Sequence, residues 1–424
     1  MSQQQPAAET FNLAGIDLSD RDLYRQGFPH PLFAQLREQA PVFRHPASAG
    51  VMQHQIEEPF WVVSRFADVR QVSRDTETFS ATDGPSIQPF PPERRNNTLV
   101  SMDPPDHRRL RGLISKGFFL PTMVNQMEGQ IQNWCRKIVD DVIERGECEF
   151  VNDLAYRLPM NVIADLVGIP ESARAHLFDC VNRLMLVGEP SLGITQQERD
   201  QLEAEIFSYG VQLAEEKRKK PVNDVWTVLT QAKWEDDSGG ESHLSDWELA
   251  LFFLVLVIAG SETTRNALSS GFLTFVNNPE QLHNFVHNPA LHEPTADEVL
   301  RWTSPVLFFA RTATRDTVLR GVDIAAGDRV SIWYPSANRD AAEFANPDTF
   351  DISRDSKRQT ALGGGGPHLC LGAHLARKQI SAMFSELFSR TKNFEVGDTE
   401  WFVSGLQNNV TCSLAPFQVK LQAK

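Results

Sequence analysis

Two short stretches of a 424-residue chain carry residue types that packing alone does not ask for. The first is Gly363-Gly364-Gly365-Gly366-Pro367-His368-Leu369-Cys370-Leu371-Gly372, which runs directly into a helical pattern, Ala373 to Arg390. Four glycines remove side chains and admit a bulky neighbour. Cys370 then stands at a helix start, where exposed N–H groups and the positive dipole end favour a thiolate. This is a place to hold a reactive or metal-bound sulfur. A plain buried cysteine would not need a glycine tetrad with proline. The His368-x-Cys370-x3-His374 spacing lacks the second close ligand pair of a zinc site. The other cysteines, Cys135, Cys148, Cys180 and Cys412, are isolated in sequence and read as structural. The second stretch is Ala259-Gly260-Ser261-Glu262-Thr263-Thr264, set inside an apolar run. Glycine and adjacent β-branched threonines are poor choices for a buried helix. A threonine hydroxyl there can bond back to the carbonyl four residues earlier, and a carboxylate needs a partner. Two readings stand side by side: a kink packed against a satisfied Glu262, or a groove in which Glu262 supplies protons and the Thr263 hydroxyl orients water.

A sulfur and an acid–alcohol pair must be held by long, rigid elements. Ser245-Asp246-Trp247-Glu248 is a capping box, and the pattern after it runs to about Asn277, where Asn-Asn-Pro stops it. That predicts a helix of ~32 residues, roughly 48 Å long, buried along its first half. A helix is predicted over 31–40, a strand and then a helix over 58–75, and a long loop over 81–100, rich in Gly, Pro and Asn. Helical periodicity dominates from about 102 to 290. Short β-branched and aromatic runs after 303 read as strands and hairpins, 371–390 as helix, and the tail from Phe394 as strands. The fold class is therefore mainly α with a minor β part, in a single large domain over 21–424, with 1–20 a loose N-terminal tail. Lys and Arg number 41 against 55 Asp and Glu, a net charge of −14, which argues against a nucleic-acid binder or a basic membrane-surface protein. Five cysteines in a long chain do not form a disulfide framework and point to a reducing compartment. The most apolar run, Leu249 to Gly260, has 12 residues where a bilayer span needs ~20, and the N-terminus lacks a signal-peptide pattern. The expectation is a cytoplasmic protein with no membrane anchor.

Taken together, these residues resemble the cytochrome P-450 family, the haem-thiolate monooxygenases, over roughly 30 to 420. The cysteine loop, Glu298-Val299-Leu300-Arg301, the acid–alcohol pair of a long I helix and Asp103-Pro104-Pro105-Asp106-His107-Arg108-Arg109-Leu110-Arg111 fall in the family's order. One departure is the aromatic residue that usually opens the cysteine loop: position 363 is Gly, and Leu362 stands eight before the cysteine. That bears on tuning of the iron and not on its ligation. The resemblance implies a cytochrome P-450 fold with haem b, in which Cys370 is the axial thiolate ligand of the iron and favours O–O cleavage. It implies a buried structural triad of Glu298, Arg301 and Arg354. His107, Arg111, Arg311 and His368 would bind the two propionates. Gly364, Gly366, Ala259 and Gly260 would also lie against the haem, and Glu262 and Thr263 would deliver protons.

The same resemblance places loop 81–100, Leu256 to Gly260, Thr303 to Phe309 and Gln407 to Val410 near the substrate. Phe90, Val257, Val306, Leu307, Phe308 and Phe309 suit a hydrophobic small molecule, and Gln407 and Asn408 could add polar contacts. The stretch His107 to Met127 carries Arg108, Arg109, Arg111 and Lys116 and no acid; Ser356 to Ser385 carries Lys357, Arg358, Arg377 and Lys378 and no acid. On an acidic chain these are local basic excesses, and Arg109, Lys116 and Lys378 are expected to dock an acidic electron donor. The implied donor is a small iron–sulfur ferredoxin, fed with NAD(P)H electrons by a separate reductase, serving a monomeric enzyme. The implied reaction inserts one oxygen atom of O₂ into a C–H or C=C bond of a terpenoid, steroid or branched lipid. A peroxide-driven peroxygenase, a non-catalytic haem sensor and an oxidative-coupling or isomerising enzyme on the same scaffold are the other readings. Turnover with and without the donors, and oxygen stoichiometry, separate them.

Overall fold

The computed structural model of the chain describes residues 11–47, 58–115, 119–185, 193–235, 240–403 and 411–424. The helices in chain order are α1 His30–Gln39, α2 Phe66–Arg74, α3 Asp106–Ile114, α4 Pro121–Gln126, α5 Glu128–Arg145, α6 Arg157–Val167 and α7 Glu171–Met185. They continue as α8 Gln196–Lys219, α9 Val225–Gln231, α10 Asp246–Asn277, α11 Pro279–His287, α12 His292–Thr303, α13 Tyr334–Ala337 and α14 Ala373–Arg390. The boundaries follow local chemistry. At the start of α10 both arms of the capping box form: Ser245 Oγ accepts from the Glu248 N–H at 3.2 Å, and Glu248 Oε2 accepts from the Ser245 N–H at 2.8 Å. At its end Asn278 caps and Pro279 opens α11. Among the described residues α10 alone is long and apolar enough to cross a membrane by composition, and 56% of its most apolar window is buried inside the protein.

The largest sheet joins the two ends of the chain. Its order is Val42–His45, Phe60–Val63, Arg329–Trp333, Phe308–Ala313, Phe79–Ser80. Pairing is antiparallel except where Phe60–Val63 meets Arg329–Trp333 in parallel, with Val62 opposite Ser331. Two apolar clusters result. One gathers the helices around α10, α12 and α14, and the other gathers α1, α2 and the sheet.

Three anchors fix the parts nearest the junction of these clusters. Arg329, 8% exposed, donates to the carbonyls of Ile87 (3.1 Å), Gly84 (2.9 Å) and Ser86, and so ties loop 81–100 to the sheet. Glu298 and Arg301 of α12, both fully buried, make a two-pronged pair at 2.7 and 2.8 Å. Arg301 also donates to the carbonyls of Asn338, Pro347 and Thr349. Arg354 lies 3.5 Å from Glu298, and the Asp351 N–H and Ser356 hydroxyl complete that carboxylate's shell at 2.9 and 2.5 Å. Such charges survive burial because they are paired and hydrogen-bonded, although Arg354 Nε itself makes only the 3.5 Å ion-pair contact.

Residues 11–20 depart from the loose tail expected of them. Gln35 of α1 exchanges hydrogen bonds with both the N–H and the carbonyl of Phe11, at 2.8 and 2.6 Å, and Leu18 is only 1% exposed. Apolar burial of this segment outweighs its acidic, polar character. Residues 1–10 lie outside the described residues.

Candidate functional site

At the junction of the two clusters lies a cavity with about 1430 Å³ of empty space, its mouth included. Its walls come from both clusters: Ile163 of α6, one face of α10, Leu300 of α12, Phe309 and Arg311 of the sheet, and the stretch Ala361 to Ile380.

The helical face is set by periodicity. Phe252, Val255, Leu256, Ala259, Gly260, Thr263, Thr264 and Ala267 line the cavity, spaced three and four apart along one side of α10. Ala259, Gly260 and Thr263 were expected there. Val257 was too, but it falls off that side and is fully buried in the core. Glu262 also falls off it. Its carboxylate is 3% exposed, accepts from the Thr411 hydroxyl at 2.8 Å and lies 3.6 Å from Arg265. Burial pushes this carboxyl above the ordinary glutamate range, while Arg265 and the Thr411 hydrogen bond oppose the shift. Thr263 does face the cavity, and its hydroxyl donates to the Ala259 carbonyl at 2.8 Å. The helix stays continuous through this bond.

Alternation along a strand decides the next group. Phe309 and Arg311 share one face of Phe308–Ala313 and line the cavity with Val306. Phe308 takes the other face, stacked on Trp333 at 5.2 Å, and Leu307 is fully buried beside it; neither reaches the cavity. Phe90 is turned onto Gly84, where a Cβ would meet its ring at 2.6 Å, so the loop's contribution comes from Leu99 and Val100 instead. Gln407 and Asn408 lie outside the described residues.

Cys370 lines the cavity, with Leu362 and Gly363 from the start of its loop. The Cys370 N–H donates to the Leu362 carbonyl at 2.8 Å, and α14 begins three residues later. Burial pushes this thiol's pKa up, outweighing the Gly372 N–H, Arg111 and Arg377, which favour the thiolate. The helix start alone therefore does not ionise it; a metal ion held at the sulfur would. Gly364 and Gly366 serve a purpose other than the one expected. A Cβ on Gly364 would stand 2.8 Å from Ser73 Cβ and 3.0 Å from the Val69 carbonyl, and one on Gly366 would stand 2.9 Å from the Ser73 carbonyl. The bulky neighbour that they admit is the backbone of α2.

One edge of the cavity collects His107, Arg111, Arg311 and His368. The two imidazoles lie 4.5 Å apart, and Arg111 donates to the Pro367 carbonyl at 3.2 Å. Burial and the adjacent arginines hold His107 down to about 4 and His368 to about 2. Both rings are neutral at neutral pH. His107 Nδ1, Arg311 Nε and His368 Nε2 are buried without a hydrogen-bond partner. The nearest carboxylate oxygen, on Asp103, is 4.0 Å from His368 and already accepts from the Ala81 N–H. Three orphaned polar atoms and two arginines beside a cavity fit a ligand bearing carboxylates, and Cys370 is a soft ligand for its metal. The residues present thus suit a haem with its propionates.

The expected docking cations look different in three dimensions. Arg109 pairs with Asp106 at 3.3 Å and lies 4.2 Å over the Trp234 ring. Lys378 bridges Glu128 at 3.4 Å and Glu293 at 2.9 Å. Neither is an unpaired surface charge: the acid on Arg109 stands one turn earlier on α3, and the two on Lys378 come from α5 and α12. Lys116 lies outside the described residues.

A family model described as cytochrome P-450 matches residues 48–285 and 291–400. The chain is 35% identical over 418 residues to a steroid C26-monooxygenase of Rhodococcus jostii, covering 97% of this chain and 86% of that protein. It is 36% identical over 394 residues to a methyl-branched lipid omega-hydroxylase of Mycobacterium tuberculosis, covering 88% of each. Among solved structures it resembles a Mycobacterium marinum cytochrome P-450 in complex with pseudoionone, with a TM-score of 0.87, 32% identity and coverage of 96% and 98%.

Proposed function

The chain belongs to the cytochrome P-450 family, and from that premise we propose that it hydroxylates the end of a branched apolar chain on a steroid, terpenoid or methyl-branched lipid. The protein is a monooxygenase that uses haem iron and O₂ on hydrophobic substrates. The observation that carries the substrate reading is the cavity wall. Phe252, Val255, Leu256, Val306 and Phe309 form an apolar surface that continues to Thr263 and Cys370. The two curated relatives act on a steroid and on a methyl-branched lipid.

Haem, when bound, supplies the iron redox chemistry that activates O₂. Cys370 would hold the iron, and His107, Arg111, Arg311 and His368 would take the propionates through charge-assisted hydrogen bonds. The apolar wall excludes water and positions the substrate. Thr263 presents a hydroxyl where α10 lines the cavity beside Ala259 and Gly260, and in this reading it orients the water that carries protons inward. Glu262 acts from outside the lining: its raised carboxyl holds a proton within the same helical turn. Electrons would come from NAD(P)H through a reductase and a small iron–sulfur ferredoxin to a monomeric, cytoplasmic enzyme.

Spectral titration of the haem protein with a panel of steroids, terpenes and branched fatty acids tests the substrate class. Turnover with NAD(P)H, ferredoxin and reductase should then add one oxygen atom at a chain terminus. Absence of a spectral shift with all three classes, or oxidation only at ring carbons, would overturn the reading.

A further inference from the structure

Helices α7 and α8 carry a cluster that the cavity does not use. His176 and Cys180 are four apart on α7 and share a face, and Glu205 stands beside them on α8. His176 Nε2 is 2.5 Å from Glu205 Oε1; Cys180 Sγ is 3.7 Å from that nitrogen and 3.6 Å from Glu205 Oε2. An imidazole nitrogen, a thiol sulfur and a carboxylate thus converge within 4.8 Å, the one such group of three found among the described residues. In sequence Cys180 has only His176 near it, four residues earlier, and Glu205 arrives from another helix.

The distances are close to those of a coordination shell. Tetrahedral zinc, with bonds of ~2.3 Å to sulfur and ~2.0–2.2 Å to nitrogen and oxygen, separates sulfur from either by roughly 3.6 Å and nitrogen from oxygen by roughly 3.4 Å. Both sulfur separations already match. The oxygen at the matching distance is Glu205 Oε2, whereas His176 holds Oε1, so the His176–Oε1 hydrogen bond must give way as the carboxylate turns Oε2 to the ion. That is a small rotation for side chains 69% and 52% exposed. The cysteine residue itself is 2% exposed, so the soft ligand is fixed and the two mobile ligands face the solvent from which an ion would enter. Arg183 does not compete for the place, since it is paired with Glu198 and lies 3.8 Å from Asp179. Burial, Glu205 and Asp179 raise the Cys180 thiol to about 11, so the metal must displace its proton.

We propose that His176, Cys180 and Glu205 form a zinc site that clips α7 to α8, with water in the fourth position. Thiolate with imidazole selects zinc over magnesium or calcium, which take all-oxygen shells.

Calorimetric titration of the haem-loaded protein with Zn²⁺ tests this. One zinc ion per chain should bind. Loss of partners outside the ligand shell weakens metal sites by about 10–100-fold, so Cys180→Ser should weaken this one by at least about 100-fold. Glu205→Gln, on an exposed side chain that leaves the core untouched, should weaken it as well. A control is needed for His283 and His287, which stack 4.1 Å apart on α11 and could chelate by themselves. His283→Ala should leave the uptake intact. The proposal is overturned if the parent protein takes up no zinc, if Cys180→Ser and Glu205→Gln bind it equally well, or if His283→Ala abolishes uptake.

Discussion

Thr263 and Glu262 are adjacent in sequence but face different surroundings, and that separates their tests. Thr263 borders the cavity and spends its hydrogen on the Ala259 carbonyl. Thr263→Ala should leave haem content and substrate affinity nearly unchanged while more of the electrons end as peroxide; the ratio of product formed to NAD(P)H consumed reads this. An unchanged ratio would assign the hydroxyl to helix packing. Glu262 acts through its charge state. Its folded-state pKa lies above the ordinary 4.5 because burial outweighs Arg265 and Thr411. The folded protein therefore holds this proton where the unfolded chain has lost it. The resulting stabilisation is complete below that window and is lost as pH rises through it. Glu262→Gln is neutral throughout, so its urea-unfolding free energy should fall less than the parent's over the same pH rise. Equal slopes would mean that the carboxylate is already ionised in the fold. The adjacency was legible in sequence, whereas the division was not: Thr411, which engages Glu262, is 149 residues away.

At the scale of elements, what is written locally is readable. The capping box marks the start of α10 with both of its arms, and a 3.6-residue period carried outward from Thr263 would have found Phe252, Val255 and Ala267 and rejected Val257. The glycines of the cysteine loop were harder. Their need depends on α2, which the Ser73 hydroxyl ties to the Gly365 carbonyl across 292 residues at 3.0 Å. This contact can be tested. Gly364→Ala forces a methyl against Ser73 and Val69 and should destabilise the fold by ~1–3 kcal/mol. Gly129→Ala, in α5 with nothing within 4 Å, should be neutral or slightly stabilising. Thermal unfolding of the two variants side by side decides the matter; equal melting temperatures would show that the loop can retreat from α2.

Over the whole molecule, charge pairing reorganises what the sequence displays. Ser356 to Ser385 contains no acid, yet Arg358 meets Glu343, Arg377 meets Asp297 and Lys378 meets two glutamates. A stretch that reads as a basic surface is thus largely neutralised by partners from α5, α12 and the segment after α13. Glu298 shows the same long reach in the interior. Glu298→Gln would leave Arg301 and Arg354 charged without their carboxylate and should cost about 3–5 kcal/mol of stability, measured by urea unfolding. A loss below 1 kcal/mol would show that backbone carbonyls alone sustain the two arginines. The parallel strand pair has a consequence of another kind, in time. The Ser331 hydroxyl that donates to the Trp61 carbonyl is 270 residues further along the chain. At ~5–20 residues per second of synthesis, Phe60–Val63 would wait roughly 14 to 54 s on the ribosome for its partner strand. Through that interval an apolar strand has an open edge that could pair with other chains. The yield of soluble protein should therefore depend on chaperone supply and on the rate of translation, even for variants whose finished fold is as stable as the parent's.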